Sequence, residues 1–389
     1  MADAALAKTL LALMSEETAP RAVQPLPASG TVEGLIGLAR HHRALGYLAA
    51  AAPRLRGVDE ATADELARYH RTHVTDQLRA IADLSALGLL LAGADIPWLV
   101  IKGPVLAALI YPRPELRTFE DVDIVVPQSA FADVIRVLEG AGLEIVDRNW
   151  ELIRSERRGQ LHITLPNGTV ADVHWHLLNR DYVREGFRIE MGPVFDRART
   201  VRIDGLALRT LSDVDGLVHL CLHAALAGGD RLIWLKDVDL AVAAGTTWPD
   251  VVRLARSWRA ATAVGTILAR AAQAFGTPVP DDVLRELLPR WRRGVGSYLD
   301  RRWPVEQATG ALTPAALWAQ TQRDGGGAWV GALAWRLIRR PFTFLRRRVA
   351  RELWRGEGSG AVLLPSGGAE DREAFLRDVS HPSRGAGAA

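Results

Sequence analysis

The spacing of apolar residues changes within the first hundred residues, and this change constrains the fold more than any other feature. Residues 61–94 place apolar side chains such as Leu84 and Leu87 at helical spacings, and Gly93 closes the run. The next segment, IPWLVIKG at 96–103, is a short apolar run closed by glycine, which predicts a buried strand. The chain therefore needs a sheet as well as helices.

Further strand patterns follow. VDIVVP at 122–127 predicts a second strand, and residues 128–141 return to helical spacing. LHITLP at 161–166 and TVADVHWHLL at 169–178 predict two more strands, separated by the turn residues Asn167-Gly168. From residue 212 the spacing is helical again.

These patterns predict an α+β protein with a small mixed β-sheet core between helical regions. The last thirty-odd residues are rich in Gly, Ser and Pro, a composition that favours disorder. The predicted divisions are an N-terminal helical region (1–94), an α/β core (95–210), a C-terminal helical region (211–355) and a mostly disordered tail (356–389).

Composition limits the function classes. The 389 residues carry a net charge of only +3, which gives no strong general attraction to nucleic acid. The single cysteine, Cys221, excludes an internal disulfide and an all-cysteine metal cage. The sequence shows no transmembrane segment, and its first residues lack the basic start of a secretory signal. We therefore expect a cytoplasmic protein.

The tripeptide Asp-Val-Asp occurs three times, at 121–123, 213–215 and 237–239. Side chains two residues apart share a face in a strand but diverge in a helix. Only the copy in a predicted strand can therefore place both carboxylates on one cation. The copy at 213–215 falls in a helix's first turn, where acids favour the helix dipole. The first copy is the candidate site.

A third carboxylate joins the first copy. Alternation along TVADVHWHLL places Asp172, His174 and His176 on one face of the predicted strand. Together with Asp121 and Asp123, Asp172 gives three acids on strands of one small sheet. This arrangement is what metal-dependent phosphoryl or nucleotidyl transfer requires.

The run IKGPVLAALIYPRPELRTFEDVDIVVP resembles the core motif of the uncharacterised nucleotidyltransferase family of the DNA polymerase β-like superfamily. The matching positions are Lys102-Gly103, Tyr111-Pro112, Arg117 and Asp121-Val122-Asp123. The later Asp172-Val173-His174-Trp175 is similar to the strand that carries the family's third carboxylate. LHAALAGGDRLIWLKDVDLAV is similar to the helical segment that follows. The resemblance spans roughly residues 35 to 270.

The resemblance implies transfer of a nucleoside monophosphate from a nucleoside triphosphate such as ATP, with Mg²⁺ or Mn²⁺ as cofactor. The resemblance does not identify the acceptor, which could be a small molecule, a peptide, a protein or an RNA. The implied catalytic and metal-binding residues are Asp121, Asp123 and Asp172. The implied nucleotide-binding residues are Lys102, Gly103 and Arg117. The residues implied near the acceptor, or as support for the acids, are His174, His176 and Asp237.

One position departs from the wider superfamily, which has Gly-Ser or Gly-Gly at the helix start. Gly103-Pro104 lacks the hydroxyl and one amide that would hold phosphate. The resemblance suggests that Lys102 replaces part of that contact, although a lysine at a strand end is also common. Two interpretations are open for Arg117: it contacts the triphosphate, or it is an ordinary surface arginine. Asp237 either contributes directly to the site or fixes a helix against it.

Two other features have competing interpretations. His219 and His223 are four residues apart on a predicted helix, a spacing that suits zinc, but without a third ligand in the sequence packing is favoured. Residues 334–355 alternate arginines with aromatic and leucine side chains, as membrane-surface and nucleic-acid-binding segments do. A solvated helix pair is the favoured interpretation there.

Two other function classes stay open. A nucleotide-sugar glycosyltransferase also uses Asp-x-Asp to hold a metal and a diphosphate, but it needs a nucleotide-binding α/β unit before the motif. A non-catalytic nucleotide-binding protein on the same fold is the second alternative. The three acids argue against it, and the missing Gly-Ser argues for it.

Overall fold

A computed structural model of the chain describes residues 2–15, 31–55, 57–310, 312–325 and 365–381. The chain divides into two compact units. Unit 1 comprises the described residues of Met1–Gln77, Leu106–Thr118 and Asp213–Ala334. Unit 2 comprises those of Leu78–Val105, Phe119–Ser212 and Trp335–Ala389.

The first ten α-helices, in chain order, are α1 (Ala4–Ser15), α2 (Val32–His41), α3 (Leu45–Ala51), α4 (Glu60–Gly93), α5 (Gly103–Ile110), α6 (Phe131–Gly140), α7 (Trp150–Ser155), α8 (Asp181–Arg184), α9 (Met191–Asp196) and α10 (Asp213–Ala227). Further α-helices among the described residues are α11 (Leu232–Ala243), α12 (Trp248–Ser257), α13 (Ala261–Phe275), α14 (Asp281–Leu287), α15 (Arg290–Arg302), α16 (Pro314–Gln320) and α17 (Ala369–Ser380). The helices predicted on both sides of the sheet-forming segment are confirmed.

Unit 1 has a helical core. Apolar residues of α1, α2 and α3 pack with others from α11, and fully buried members include Leu10, Leu35 and Leu48. Thr31 caps α2 by accepting a hydrogen bond from the backbone N–H of Gly34. The core explains the leucine spacings of the N-terminal sequence, because the leucines form one buried face per helix.

Unit 2 contains a mixed sheet. Its strands are β1 (Leu99–Val100), β2 (Val122–Val125), β3 (Glu144–Ile145), β4 (Gln160–Thr164), β5 (Val170–His174), β6 (Arg199–Ile203) and β7 (Leu206–Thr210). Their order across the sheet is β3-β4-β5-β2-β1-β7-β6. The pairs β2–β5 and β1–β7 are parallel, and the others are antiparallel. The α+β fold with a mixed sheet is thus confirmed.

The hairpin of β4 and β5 turns at the predicted Asn167-Gly168. Gly168 has a φ of 88°, which glycine adopts without strain. The buried carboxylate of Asp83 on α4 accepts hydrogen bonds from the backbone and side-chain nitrogens of Asn167 and from the N–H of Thr169. This turn fixes the register that pairs Thr164 with Val170.

Two details of the sheet differ from the sequence expectation. The first strand, predicted over 96–103, is confined to β1, since Ile101 and its neighbours turn directly into α5. The hairpin of β6 and β7 was not predicted. Its turn is Asp204-Gly205, with φ values of 49° and 84°, and Asp-Gly is a typical hairpin turn.

Helix α17 lies in the segment expected to be disordered, and the expectation does not hold for these residues. The helix buries Phe375 and Val379, and Phe375 makes an edge contact with Phe131 of α6. Gln128 donates a hydrogen bond to the carbonyl of Val379. The prediction used the Gly, Ser and Pro content of the whole tail. An average over the tail does not reveal the shorter amphipathic segment that forms α17.

The predicted boundaries at 94, 210 and 355 stay predictions. The arginine-rich segment 334–355 lies outside the described residues. Within the parts of the chain that the structure describes, no helix has the length and apolar character needed to cross a bilayer.

Candidate metal and nucleotide site

The candidate site lies on the parallel strands β2 and β5. Val122, Ile124 and Val125 are fully buried, as expected for a strand inside a sheet. The register pairs Asp123 with Asp172, so the two carboxylates come from directly neighbouring positions. Each residue is only 6% exposed. The structure therefore brings the second acid of the first Asp-Val-Asp together with the third predicted acid.

His174 adds an imidazole to this pair. It follows Asp172 by two residues on β5, and its Nε2 lies 3.0 Å from Oδ1 of Asp123. One ligand atom from each of Asp123, Asp172 and His174 lies within 4.8 Å of the other two. All three residues are buried, and their oxygen and nitrogen atoms are of the types that bind a metal ion.

Burial and neighbouring charges act on the carboxyl group of Asp172. Burial raises the pKa of Asp172 to about 6. His174 and His162 act to lower this pKa, whereas the charges of Asp123 and Asp121 raise it further. Asp121 lies just before β2 and is partly exposed. The negative charge at this end of the strands favours a bound cation.

The other neighbour of Asp172 is β4, whose residues were not singled out from the sequence. Gln160 donates a hydrogen bond of 2.6 Å to Oδ2 of Asp172, and His162 Nε2 lies 3.4 Å from Oδ1. His162 is held through Nδ1 by the carboxylate of Asp147. Burial lowers the pKa of His162, but Asp147 and Asp172 outweigh it and raise the pKa.

Lys102 and Gly103 lie where β1 passes into α5. The Nζ of Lys102 is 3.2 Å from Oδ1 of Asp123, and the lysine side chain is 13% exposed. Gly103 has a φ of 61°, which favours glycine, while a Cβ there would meet only ordinary contacts such as the Asp121 carbonyl at 3.4 Å. The backbone conformation, rather than space, therefore requires this glycine.

Arg117 and Asp237 contact each other in unit 1. The guanidinium donates to both carboxylate oxygens, at 2.8 Å and 3.0 Å, and the Tyr111 hydroxyl donates at 2.7 Å. Burial and then the charge of Asp237 raise the pKa of Tyr111 well above its usual value. Asp237 thus holds a buried arginine and tyrosine. The contact of Arg117 with a triphosphate stays a prediction.

His176 lies beyond the end of β5 and forms hydrogen bonds with backbone groups. Its Nδ1 accepts from the N–H of Leu178, and its Nε2 donates to the carbonyl of Ile189 at 3.3 Å. Burial lowers the pKa of His176 to about 4, so the ring is neutral. A role near the acceptor stays a prediction for this residue.

The other two Asp-Val-Asp copies are helical, as predicted. Asp213 and Asp215 lie in the first turn of α10, and Asp239 of α11 accepts from Lys236 at 2.9 Å. His219 and His223 of α10 are ring neighbours. In the portion of the chain that is described, neither of them joins a group of three metal-ligating side chains.

Comparison with known proteins places the chain in a family. Residues 29–276 match the family described as "Uncharacterised nucleotidyltransferase". The chain belongs to this family. A crystal structure of an antigenic nucleotidyltransferase-like protein from Paracoccidioides brasiliensis is similar at 19% identity and a TM-score of 0.33, covering 54% of this chain and 93% of that one. Curated protein sequences give no match.

Proposed function

We propose that the protein is a metal-dependent nucleotidyltransferase of the DNA polymerase β-like superfamily. It would move a nucleoside monophosphate from a nucleoside triphosphate, such as ATP, to an acceptor hydroxyl or similar group. The supporting observation is the pair Asp123 and Asp172 on neighbouring parallel strands, with Asp121 close by, in a chain of a nucleotidyltransferase family.

The residues present fit a divalent cation. Oδ1 of Asp172 is buried and makes no hydrogen bond to any described residue. The carboxylates of Asp123 and Asp121 add like charge beside it. Asp121, Asp123 and Asp172 would hold Mg²⁺ or Mn²⁺, the hard cations that carboxylate oxygens suit. When bound, such cations neutralise the triphosphate and activate the attacking oxygen.

Lys102 and Gly103 would bind the nucleotide. Lys102 contacts Asp123 in the present structure, and its flexible ammonium can turn to phosphate oxygens once a cation neutralises that carboxylate. The acceptor oxygen then forms a bond to the α-phosphorus while the bond from that phosphorus to the bridging oxygen breaks. Pyrophosphate leaves with the electron pair, and the acceptor's proton is released. The chain's part is positioning and charge neutralisation.

The function is tested by following the label. The protein is incubated with each α-³²P-labelled nucleoside triphosphate and Mg²⁺ or Mn²⁺, together with separate small-molecule, peptide, protein and RNA fractions. We expect label on one fraction and release of pyrophosphate. Asp123→Asn should abolish transfer, and Asp239→Asn, the matched change in the α11 copy, should retain it.

Parallel incubations with labelled nucleotide sugars distinguish the alternatives. Transfer of the sugar with release of nucleoside diphosphate would identify a glycosyltransferase instead. Nucleotide binding without transfer to any fraction would identify a non-catalytic protein.

A further inference from the structure

We propose that His174 is itself a cation ligand, so that the site combines two carboxylates with one imidazole and binds Mn²⁺ in preference to Mg²⁺. This inference deepens the proposed function and rests on it, because the same cluster would hold the catalytic cation. An all-carboxylate site would have a smaller preference for Mn²⁺.

The spacing of the atoms suits shared coordination. Neighbouring ligands of an octahedral cation are separated by about 3.0 Å when each is about 2.1 Å from the ion. Nε2 of His174 and Oδ1 of Asp123 lie 3.0 Å apart. With Asp172 included, the three ligand atoms stay within 4.8 Å of one another. A cation can therefore be enclosed with only small side-chain rotations.

One of the ligand atoms has unmet hydrogen-bonding capacity. Oδ1 of Asp172 is buried and has no hydrogen-bond partner among the described residues. His174 is 5% exposed and Asp172 is 6% exposed. Buried polar atoms without partners are costly, and ligation of a cation satisfies such atoms.

His162 is a second imidazole next to Asp172, and its place in the sheet distinguishes its role from that of His174. β4 and β2 flank β5 on opposite sides, so His162 and Asp123 approach Asp172 from opposite directions. His162 is also tied through Nδ1 to Asp147. His162 therefore positions Asp172, whereas His174 shares the space between Asp172 and Asp123.

Ligand chemistry gives the preference. Mg²⁺ favours oxygen ligands and loses its water reluctantly, whereas later divalent ions of the first transition row bind imidazole nitrogen more strongly. Mn²⁺ accepts carboxylate oxygen and, better than Mg²⁺, a nitrogen donor. Replacing one oxygen by the His174 ring should thus raise affinity for Mn²⁺ relative to Mg²⁺.

The test is titration of the full-length protein with MnCl₂, followed by pulsed electron paramagnetic resonance to detect coupling between bound Mn²⁺ and ¹⁴N. We expect ¹⁴N coupling in the wild type and its loss in His174→Ala. Mn²⁺ affinity should fall tenfold or more in that variant, and Mg²⁺ affinity measured by competition should fall less. His162→Gln and the exposed His381→Ala are controls that should keep the coupling.

Bound Mn²⁺ without ¹⁴N coupling in the wild type would overturn the inference, as would coupling that survives in His174→Ala. The wild-type spectrum decides the matter even if His174→Ala does not fold. Nucleotidyl transfer by a protein whose Mn²⁺ has only oxygen ligands would leave the proposed function intact and remove this inference. Bound Mn²⁺ that is coupled to nitrogen, in a protein that transfers no nucleotide, would support His174 as a ligand and contradict the proposed function.

Discussion

The Asp-Val-Asp of β2 and the Asp-Val-Asp of α11 have the same three residues and different surroundings. In α11 each aspartate has a cationic partner: Arg117 contacts Asp237, and Lys236 contacts Asp239. At β2, Asp123 contacts Lys102 but also shares its neighbourhood with a second and third carboxylate. The two aspartates of the helical copy contact different cations, whereas Asp123 of the strand copy has the carboxylate of Asp172 at the neighbouring position of the next strand.

The difference shows that secondary structure decides what a short acidic motif can do. Strand pairing sets Asp123 beside Asp172, which lies 49 residues further along the chain. A helix turns successive acids toward different neighbours, so Asp237 and Asp239 each acquire a separate partner. Separate ion pairs suit a structural role, and two carboxylates on neighbouring strands suit a bound cation.

The largest effect is expected for Asp123→Asn. The change removes a carboxylate from the candidate cation site but keeps its shape, so transfer should fall about a thousandfold, about 4 kcal/mol. The melting temperature should change little, because the loss of the carboxylate's contact with Lys102 opposes the relief of repulsion from Asp172 in the metal-free protein. Label transfer and thermal denaturation measure the two effects. A large loss of stability would mark Asp123 as structural.

Asp237→Asn should show the opposite pattern. It leaves the buried Arg117 guanidinium without its carboxylate and weakens the bond from Tyr111, so the free energy of unfolding should fall by about 3 kcal/mol. Denaturant titration measures this loss. Asp239→Asn, which is more exposed, is the control and should lose less. Unchanged stability in Asp237→Asn would contradict the structural role.

The lysines provide the next comparison. Lys102→Ala should weaken nucleotide binding about tenfold, about 1.4 kcal/mol, with little change in stability. Lys236→Ala should instead lower the free energy of unfolding by about 1.5 kcal/mol, because it removes a buried contact with Asp239. Nucleotide titration with Mg²⁺ separates them, and the exposed Lys8→Ala is the control. Equal nucleotide affinity in all three variants would remove Lys102 from the site.

The smallest effect is expected for Gly103→Ala. A φ of 61° is strained for alanine, so stability should fall by about 1 kcal/mol. Gly140→Ala in α6 is the control, since no atom lies within 4 Å of its added Cβ, and this change should be neutral or stabilising. Similar melting temperatures for both variants would show that the turn after β1 tolerates a side chain.

The sequence predicted the features that depend on local pattern. Strand alternation and the Asn167-Gly168 turn predicted β4 and β5, and the position of Asp-Val-Asp at the start of the strand pattern VDIVV distinguished it from the helical copies. The likeness to a nucleotidyltransferase family, stated from the same motifs, is confirmed over residues 29–276. Periodicity and turn chemistry act over a few residues, so they can be inferred without tertiary contacts.

The partners of the acids required tertiary information. Gln160 and His162 reach Asp172 only through the register of the hairpin, and Asp147 reaches His162 across 15 residues of chain. Counting outward from a two-residue Asn167-Gly168 turn would have paired Ile163 with Asp172, whereas the loop also includes Pro166 and the register pairs His162 with Asp172. No local pattern pairs Arg117 with Asp237, because 120 residues separate them.

We expect Asp123 and Asp172, and not the acids of the helical copies, to hold the cation, with the nucleotide beside Lys102. The most direct measurement is a crystal structure with Mn²⁺ and a non-hydrolysable nucleoside triphosphate, recorded with anomalous scattering. We predict an anomalous peak within about 2.2 Å of carboxylate oxygens of Asp123 and Asp172, with the triphosphate beside Lys102. A peak elsewhere, or a nucleotide bound away from these residues, would contradict the claim.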